Sequence, residues 1–239
     1  MAGTCSAPSG GAEESKIEII VGETETRYLI DMAKIGPLWK LVMREEPSVI
    51  RLRRYEPDIF QMVADWTEGL PFPRVCKALI PDSPYDFVAN PTQTRLLRVM
   101  LFAEDFEWEA LYNDAIDAYR WGEVELDIWS PHREHIEMAY EHSFWWVRTF
   151  MAEYIYGMGK KNGDLSEYAS DDFYRIPNFI ADVLDRVDGK CLFIYPTPAN
   201  GGRGVLEKDE PLNLHKASYH VHNGQDMVSC NEVYCKGWK

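Results

Sequence analysis

The chain has 239 residues, of which 46% are hydrophobic, and it carries a formal net charge of -14 with a sequence pI near 4.9. This length and apolar content suit one large domain, or a smaller domain with an extension. An acidic chain is repelled by phosphate backbones and by anionic membrane surfaces, so we expect neither a nucleic acid nor a membrane as its partner.

The termini and the cysteines indicate a cellular compartment. Residues 1–15 are small and polar, which is unlike a secretory signal and typical of a disordered tail. No apolar run reaches the roughly 20 residues that a membrane span needs. An odd number of scattered cysteines is not a disulfide framework. We therefore expect an intracellular protein, cytoplasmic or nuclear, with reduced thiols. The cysteines are Cys5, Cys76, Cys191, Cys230 and Cys235.

The first elements are predicted to be a β-hairpin and a short helix. Two strand-like runs, at residues 17–21 and 26–30, flank a polar turn that begins at Gly22. A short helix is predicted over residues 35–43. Its expected inner face is Leu38, Trp39 and Val42.

A third strand is predicted over residues 48–53. The one dense basic run of the chain, Arg51, Arg53 and Arg54, lies in this strand and at its end. Since side chains alternate along a strand, we interpret these arginines as a solvated strand face and not as a phosphate site.

A helix is predicted to begin at Pro57 and to end just before Gly69. Residues 70–93 are rich in proline, which excludes a long regular element there. The apolar stripe of this helix is Ile59, Phe60, Val63 and Trp66.

Residues 96–120 are predicted to form two short helices joined at a turn near Glu107 and Trp108. Each helix carries apolar residues at spacings of three and four, the pattern of one buried helical face. The two stripes are Leu96, Val99, Ala103 and Phe106, then Leu111, Ala115, Ile116 and Tyr119.

The second half of the chain is predicted to be mostly helical. One long helix is predicted from Ser130 to about residue 157 or 159, and another over residues 178–187. Residues 188–214 are interpreted as a loop, with one strand at 191–195. The stripe of the long helix is Ile136, Tyr140, Phe144, Val147, Met151 and Tyr154. Because neighbours on a helix point about 100° apart, only one of Trp145 and Trp146 can face the core.

Several segments of residues 16–122 resemble the BTB/POZ domain in its divergent fungal form. They are the hairpin, Gly36-Pro37-Leu38-Trp39, Pro57-Asp58-Ile59-Phe60 with Val63, Trp66 and Gly69, and the helix pair that contains Phe102-Ala103-Glu104-Asp105-Phe106 and Ala110 to Asp117.

The resemblance implies an α+β fold: a BTB/POZ-like core over residues 16–122, a helical extension over 123–187 and a loop-rich tail over 188–239. It implies a non-catalytic protein-interaction adaptor, without cofactor, whose partner is a protein: a second copy of the chain or a cullin-type ubiquitin ligase. Cullin-binding relatives carry a hydrophobic-x-Glu triplet before the third strand, and Met43-Arg44-Glu45 fits it.

A zinc-stabilised regulatory protein is the alternative. His220 and His222 precede Cys230 and Cys235, and two histidines with two cysteines can close a tetrahedral zinc site. Their spacing is not that of a standard zinc finger, so we assign no metal ligand from the sequence.

Other patterns that suggest chemistry are weaker. His132, His135 and His142 do not have the spacing of a zincin helix, and we interpret them as part of a charged outer face. The glycine-rich stretch at residues 201–204 lacks the Lys-Ser/Thr ending of a phosphate loop. No nucleophile elbow is present and no Ser-His-Asp set stands out in the sequence, which agrees with the expected non-catalytic protein. An enzyme of unfamiliar type is the third hypothesis.

Overall fold

The computed structural model describes residues 16–42, 49–75, 89–126, 131–162, 173 and 175–187. These residues fall into two compact units, which divide between Leu70 and Pro71. The described elements are a three-stranded mixed sheet and seven α-helices, which confirms the α+β class. The predicted domain over residues 16–122 draws on both units, and its boundaries stay a prediction.

Unit 1 contains the sheet, and its three strands confirm the predicted ones. They are β1 (Lys16–Val21), β2 (Thr26–Asp31) and β3 (Val49–Leu52). The order across the sheet is β2-β1-β3, with β1 antiparallel to β2 and parallel to β3. Both β2 and β3 are therefore edge strands among the described residues.

Gly22 joins three parts of unit 1. Its φ of 73° is one that residues with a Cβ rarely adopt. A Cβ at this position would lie 3.0 Å from Cδ of Pro57. Its N–H donates to the carbonyl of Leu52 at 3.1 Å. The hairpin turn, the end of β3 and the first residue of the next helix thus pack closely around a position that requires glycine.

The predicted short helix is a 3₁₀ turn, Gly36–Leu38, followed by α1 (Trp39–Val42). Leu38 is buried as expected, but Trp39 is 52% exposed, so its predicted place on the inner face is wrong. The reason is geometric, since two consecutive residues of a helical turn point in directions about 100° or more apart.

Helix α2 (Pro57–Thr67) lies against the sheet of unit 1, and three residues of its predicted stripe, Ile59, Phe60 and Val63, are buried, whereas the fourth, Trp66, is partly exposed. The ring of Tyr28 on β2 meets the ring of Phe60 edge-on at 4.9 Å. The Tyr28 hydroxyl also donates to the Pro57 carbonyl at 2.7 Å. One tyrosine therefore fixes the start of α2 against β2.

Unit 2 begins with the predicted helical hairpin, formed by α3 (Pro91–Asp105) and α4 (Glu109–Glu125). The Asn90 side chain accepts from the N–H of Thr92 at 2.9 Å and so caps α3. The two apolar stripes are buried as predicted, apart from a partly exposed Phe106, and Trp108 at the turn is only 7% exposed.

The predicted long helix is in fact two helices, α5 (Arg133–His142) and α6 (Trp146–Asn162). The side chain of His132 caps α5, two residues beyond the predicted start at Ser130. Phe144 lies in the break and is 80% exposed, so its predicted place in a buried stripe is wrong. The backbone of Ser143 is extended, with φ -83° and ψ 139°, which ends the first helix.

The last described helix, α7 (Phe179–Val187), confirms the element predicted over residues 178–187. It packs with α5 and α6 in a second apolar cluster of unit 2. The buried members of this cluster are Ile136, Ala152, Ile155, Ile176, Phe179 and Val183.

Candidate functional site

The sheet of unit 1 has one buried face and one charged face. In the β1–β2 register, Ile17 pairs with Ile30 and Ile19 with Tyr28 on the buried face. The other face carries the alternate residues, which are mostly charged, although Ile20 is buried there. Its pairs are Lys16 with Asp31, Glu18 with Leu29 and Ile20 with Arg27.

Leu29 is the exposed apolar residue of the charged face, with 67% of its surface accessible. The next residues of β2 on the same face, Arg27 and Asp31, are charged, and Arg27 pairs with Glu18 of β1 at 2.9 Å. On an edge strand, such a side chain gives an added strand an apolar contact beside the backbone hydrogen bonds of the pairing.

The hydrogen bonds of β1 determine which backbone N–H and C=O groups of β2 point away from the sheet. The N–H of Gly22 donates to Leu52 of β3, so even-numbered residues of β1 direct their backbone groups towards β3. The odd-numbered residues of β1 therefore bond to β2, opposite Thr26, Tyr28 and Ile30. The N–H and C=O groups of the other β2 residues point away from β1. These residues, Arg27, Leu29 and Asp31, form what we call the β2 edge.

More exposed apolar side chains lie near the end of α2. The ammonium group of Lys34 contacts the Glu68 carboxylate at 2.6 Å, which brings the turn after β2 next to the end of that helix. Met32, two residues before Lys34, is 40% exposed, and Leu70, two residues after Glu68, is 55% exposed. Unit 1 thus presents apolar surface beyond the β2 edge.

The predicted exposure of the basic run is confirmed, but only Arg51 lies on β3, since that strand ends at Leu52 and Arg53 and Arg54 follow it in a turn. Arg51, Arg53 and Arg54 are exposed, whereas Ile50 and Leu52 are buried. Arg51 lies 3.6 Å from the Glu25 carboxylate, and the guanidinium of Arg54 lies over the ring of Tyr55.

A buried network of polar side chains lies in unit 2, which sequence reasoning missed. Its centre is Glu123 on α4, which is 1% exposed. Nε2 of Gln93 on α3 donates to Glu123 Oε1 at 2.6 Å, and the Tyr154 hydroxyl on α6 donates to Oε2 at 3.2 Å. Burial raises the pKa of the Glu123 carboxyl to about 7, although these hydrogen bonds oppose the shift.

His135 joins this network from α5. Its Nδ1 lies 2.8 Å from the Tyr119 hydroxyl, and its Nε2 lies 3.0 Å from Thr94 Oγ1. Since the Thr94 hydroxyl donates to the Asn90 carbonyl, the ring donates to Thr94 through Nε2 and accepts from Tyr119 at Nδ1. Burial, with a smaller effect of nearby His132, lowers the pKa of His135 to about 4.

His135 is a correction to the sequence analysis, which placed it on a charged outer face. It is 1% exposed, whereas His142 does lie on the outside of α5. The network fastens α3, α4, α5 and α6 to one another through side chains that are buried, apart from a half-buried Thr94. Its arrangement therefore stabilises the packing of these helices.

A second polar contact holds the break between α5 and α6. Oε1 of Glu104 on α3 accepts from the N–H groups of Trp145 and Trp146, the latter at 2.8 Å. Oε2 accepts from the Ser143 hydroxyl at 2.6 Å and from the N–H of Val147 at 3.4 Å. A carboxylate from another helix therefore caps α6.

The two tryptophans at this break differ in their exposure to solvent, as predicted for neighbouring residues. The ring of Trp146 meets the ring of Tyr112 at 5.0 Å, whereas Trp145 is 44% exposed.

The sites proposed from the sequence lie outside the described residues. This holds for the cullin-type triplet Met43, Arg44 and Glu45. It also holds for the loop at residues 201–204, the strand at 191–195 and all five cysteines. The candidate zinc ligands His220, His222, Cys230 and Cys235 lie outside as well.

Among the described residues, no group of three or more histidine, cysteine or acidic side chains could hold a metal ion. None of the described helices combines the length and the apolar character that a membrane crossing requires.

Comparison of the chain with protein-family models, with curated proteins and with solved structures finds no match.

Proposed function

We propose that the chain is a non-catalytic protein-interaction module that acts inside the cell, in the cytoplasm or the nucleus. Unit 1 presents its β2 edge to a protein partner. The observation that carries the proposal is the exposure of Leu29 on that edge, where the backbone groups of Arg27, Leu29 and Asp31 point outwards. An edge of this kind binds an extended segment by completing the sheet.

The order of the elements supports a BTB/POZ-like scaffold for this module. A strand pair, a short helix, a third strand and a helix follow one another in unit 1, and a helical hairpin opens unit 2. This is the order on which the resemblance rests. The parallel pairing of β3 with β1 adds a feature that the sequence pattern did not specify.

Two exposed leucines give a matched test of the interaction surface. Leu29 is 67% exposed on β2, and Leu184 is 54% exposed on α7 in unit 2. We would use the full chain, its Leu29→Ser variant and its Leu184→Ser variant as baits in an extract and identify the retained proteins by mass spectrometry. The proposal expects one set of partners with the wild type and with Leu184→Ser, and loss of that set with Leu29→Ser. Equal recovery by all three baits, or a wild type that retains no protein and also stays monomeric in sedimentation, would overturn it.

A cullin is the heterologous partner to test directly. Sedimentation of the chain with the N-terminal domain of a cullin should give a complex of summed mass if the triplet Met43-Arg44-Glu45 serves as the contact. Glu45→Arg should abolish that complex and leave the mass of the chain alone unchanged. The zinc alternative is tested by the metal content of the purified full chain, since a structural site holds zinc in equimolar amount.

A further inference from the structure

We propose that the β2 edge pairs with the β2 edge of a second copy of this chain. The pairing is antiparallel and is centred on Leu29, so that Arg27 of each chain lies opposite Asp31 of the partner subunit. This inference rests on the proposed function and names a second copy as the partner. The two sheets would join into one six-stranded sheet about a two-fold axis, the commonest symmetry of soluble dimers.

The backbone of β2 permits this register. In an antiparallel pair, opposite residues that direct their N–H and C=O groups towards each other exchange two hydrogen bonds. The outward-pointing residues of β2 are Arg27, Leu29 and Asp31. A pairing centred on Leu29 places each of them opposite an outward-pointing residue of the partner.

The charges select this register over its neighbours. With the axis at Leu29, a guanidinium and a carboxylate lie opposite each other twice. An axis at Arg27 or at Asp31 would instead place two like charges opposite each other, which is unfavourable in cross-strand pairs. An axis at Tyr28 or at Ile30 would leave Arg27 opposite an uncharged residue. Only the axis at Leu29 makes the edge complementary to itself.

The composition of β2 agrees with an edge that is meant to pair. Proteins commonly prevent edge-to-edge pairing with charged side chains, above all lysine, or with proline on the edge strand. The strand sequence TRYLID contains neither lysine nor proline, and its two charges, Arg27 and Asp31, have opposite signs and so attract each other in the antiparallel pair. The most exposed of its apolar side chains, Leu29, would meet its own copy on the charged face of the joined sheet.

The length of the edge predicts a weak association. The Lys34 N–H donates to the Asp31 carbonyl at 2.8 Å, and the Asp31 carboxylate accepts from the N–H of Ala33, so the strand turns away after Asp31. The pairing therefore spans five residues, from Arg27 to Asp31. We expect a monomer–dimer equilibrium that depends on concentration.

Charge reversal tests both the surface and the register. The mass of the full chain would be measured by sedimentation over a range of concentrations, for the wild type, Arg27→Asp, Asp31→Arg and an equimolar mixture of these two variants. Each variant alone should raise the dissociation constant of the dimer about tenfold or more, because two attractive pairs become repulsive. The mixture should recover the wild-type association, since each introduced charge then faces its opposite in the partner.

Arg51→Asp is the matched control. Arg51 is also an exposed arginine of the charged face, but it lies on β3 at the other edge of the sheet. Its reversal should leave the dissociation constant within about twofold of the wild type, because surface changes away from a contact have small effects.

Each outcome decides a different point. A wild type that stays monomeric at all concentrations overturns the pairing, while recovery of another protein by the chain would still support an interaction module. A dimer that ignores both charge reversals overturns the β2 register and shows that self-association uses another surface. A mixture that fails to associate, with each variant folded by circular dichroism, overturns the two-fold arrangement.

Discussion

Glu104 and Trp146 are joined by a hydrogen bond of 2.8 Å, from the backbone N–H of Trp146 to the Glu104 carboxylate. The two residues belong to different helices, and the same carboxylate also accepts from Ser143 and Val147. The first turn of α6 therefore depends on a side chain of α3.

Replacement of Glu104 should destabilise unit 2 markedly. Glu104→Ala removes every one of these acceptors at once, and hydrogen bonds to charged groups contribute about 1.5–3 kcal/mol. We expect the free energy of unfolding to fall by about 2–3 kcal/mol in urea titrations followed by circular dichroism. Glu141→Ala is the control, because Glu141 is exposed on α5 and its variant should stay within about 0.5 kcal/mol of the wild type. Equal losses for the two variants would contradict the cap.

Local sequence pattern was sufficient for the elements that short-range periodicity determines. The strands β1 and β2 are two short runs rich in strand-forming residues on either side of a polar turn, and α2 has its apolar stripe between a proline and a glycine. The α3–α4 hairpin repeats its apolar residues at helical spacing. In each case the residues that decide the structure are close together in the chain.

The break at Ser143 could not be predicted in this way. The apolar spacing of Tyr140, Phe144 and Val147 fits one continuous helix, and neither proline nor glycine interrupts it. The helix ends because Glu104, about forty residues earlier, offers its carboxylate to the N–H groups of a new first turn. A contact between such distant residues leaves no local pattern.

The buried network did leave one signal. Gln93 precedes Leu96, Leu97 and Met100 by three, four and seven residues, so it lies on the apolar stripe of α3. A polar residue at that position predicts a buried partner. The identity of the partners, Tyr119 and Glu123, depends on how α3 packs on α4.

Glu123 should make unit 2 less stable as the pH rises. Its pKa is about 7 in the folded protein and 4.5 without the shift, so the folded state holds the proton more tightly. The stabilisation is fully present below pH 4.5 and is lost as the pH rises through 7. Glu123→Gln removes this dependence. The difference in unfolding free energy between variant and wild type should move by about 3 kcal/mol in the variant's favour from pH 4.5 to pH 8.

Chemical denaturation at several pH values measures this difference. Glu137→Gln, on the surface of α5, serves as the control and should give a difference that does not change with pH in this way. A Glu123→Gln variant whose difference from the wild type is constant from pH 4.5 to pH 8 would contradict the raised pKa.

His135 should have the opposite effect. Its pKa is about 4 in the folded protein and 6.5 without the shift, so the unfolded chain takes up the proton first as the pH falls. Stability from the neutral ring is fully present above pH 6.5 and is lost as the pH falls through 4. His135→Gln should therefore gain about 3 kcal/mol relative to the wild type between pH 7 and pH 4.

The two variants together test whether Glu123 and His135 oppose each other. As the pH falls from 6.5 to 4.5, Glu123 contributes more to the free energy of unfolding and His135 contributes less. Relative to the wild type, Glu123→Gln should be favoured by rising pH and His135→Gln by falling pH. Slopes of the same sign in the two difference curves would contradict this arrangement.

Two phenylalanines distinguish the broken helix from a continuous one. Phe144 is 80% exposed in the break, whereas Phe150 on α6 is 2% exposed and packs against Tyr119 and Tyr154. Phe144→Ala should change the free energy of unfolding by less than about 0.5 kcal/mol, and Phe150→Ala should lower it by about 3–5 kcal/mol. Similar large losses for both variants would place Phe144 in a buried stripe after all. Thermal and urea unfolding of the full chain give the comparison.

Gly122 and Gln93 provide a last test, because the two residues share one space. A Cβ at Gly122 would lie 2.2 Å from Oε1 of Gln93, which is fully buried. Gly122→Ala should therefore lower the free energy of unfolding by about 1–2 kcal/mol, although alanine suits a helix better than glycine by about 1 kcal/mol.

Gln93→Ala alone removes a hydrogen-bond donor from Glu123 and should also lower the free energy of unfolding. In the double variant the introduced methyl group meets no side-chain oxygen, so the combined loss should be smaller than the sum of the single losses by about 1 kcal/mol or more. Strict additivity in a double-mutant cycle would contradict the close contact of α3 and α4 at this point.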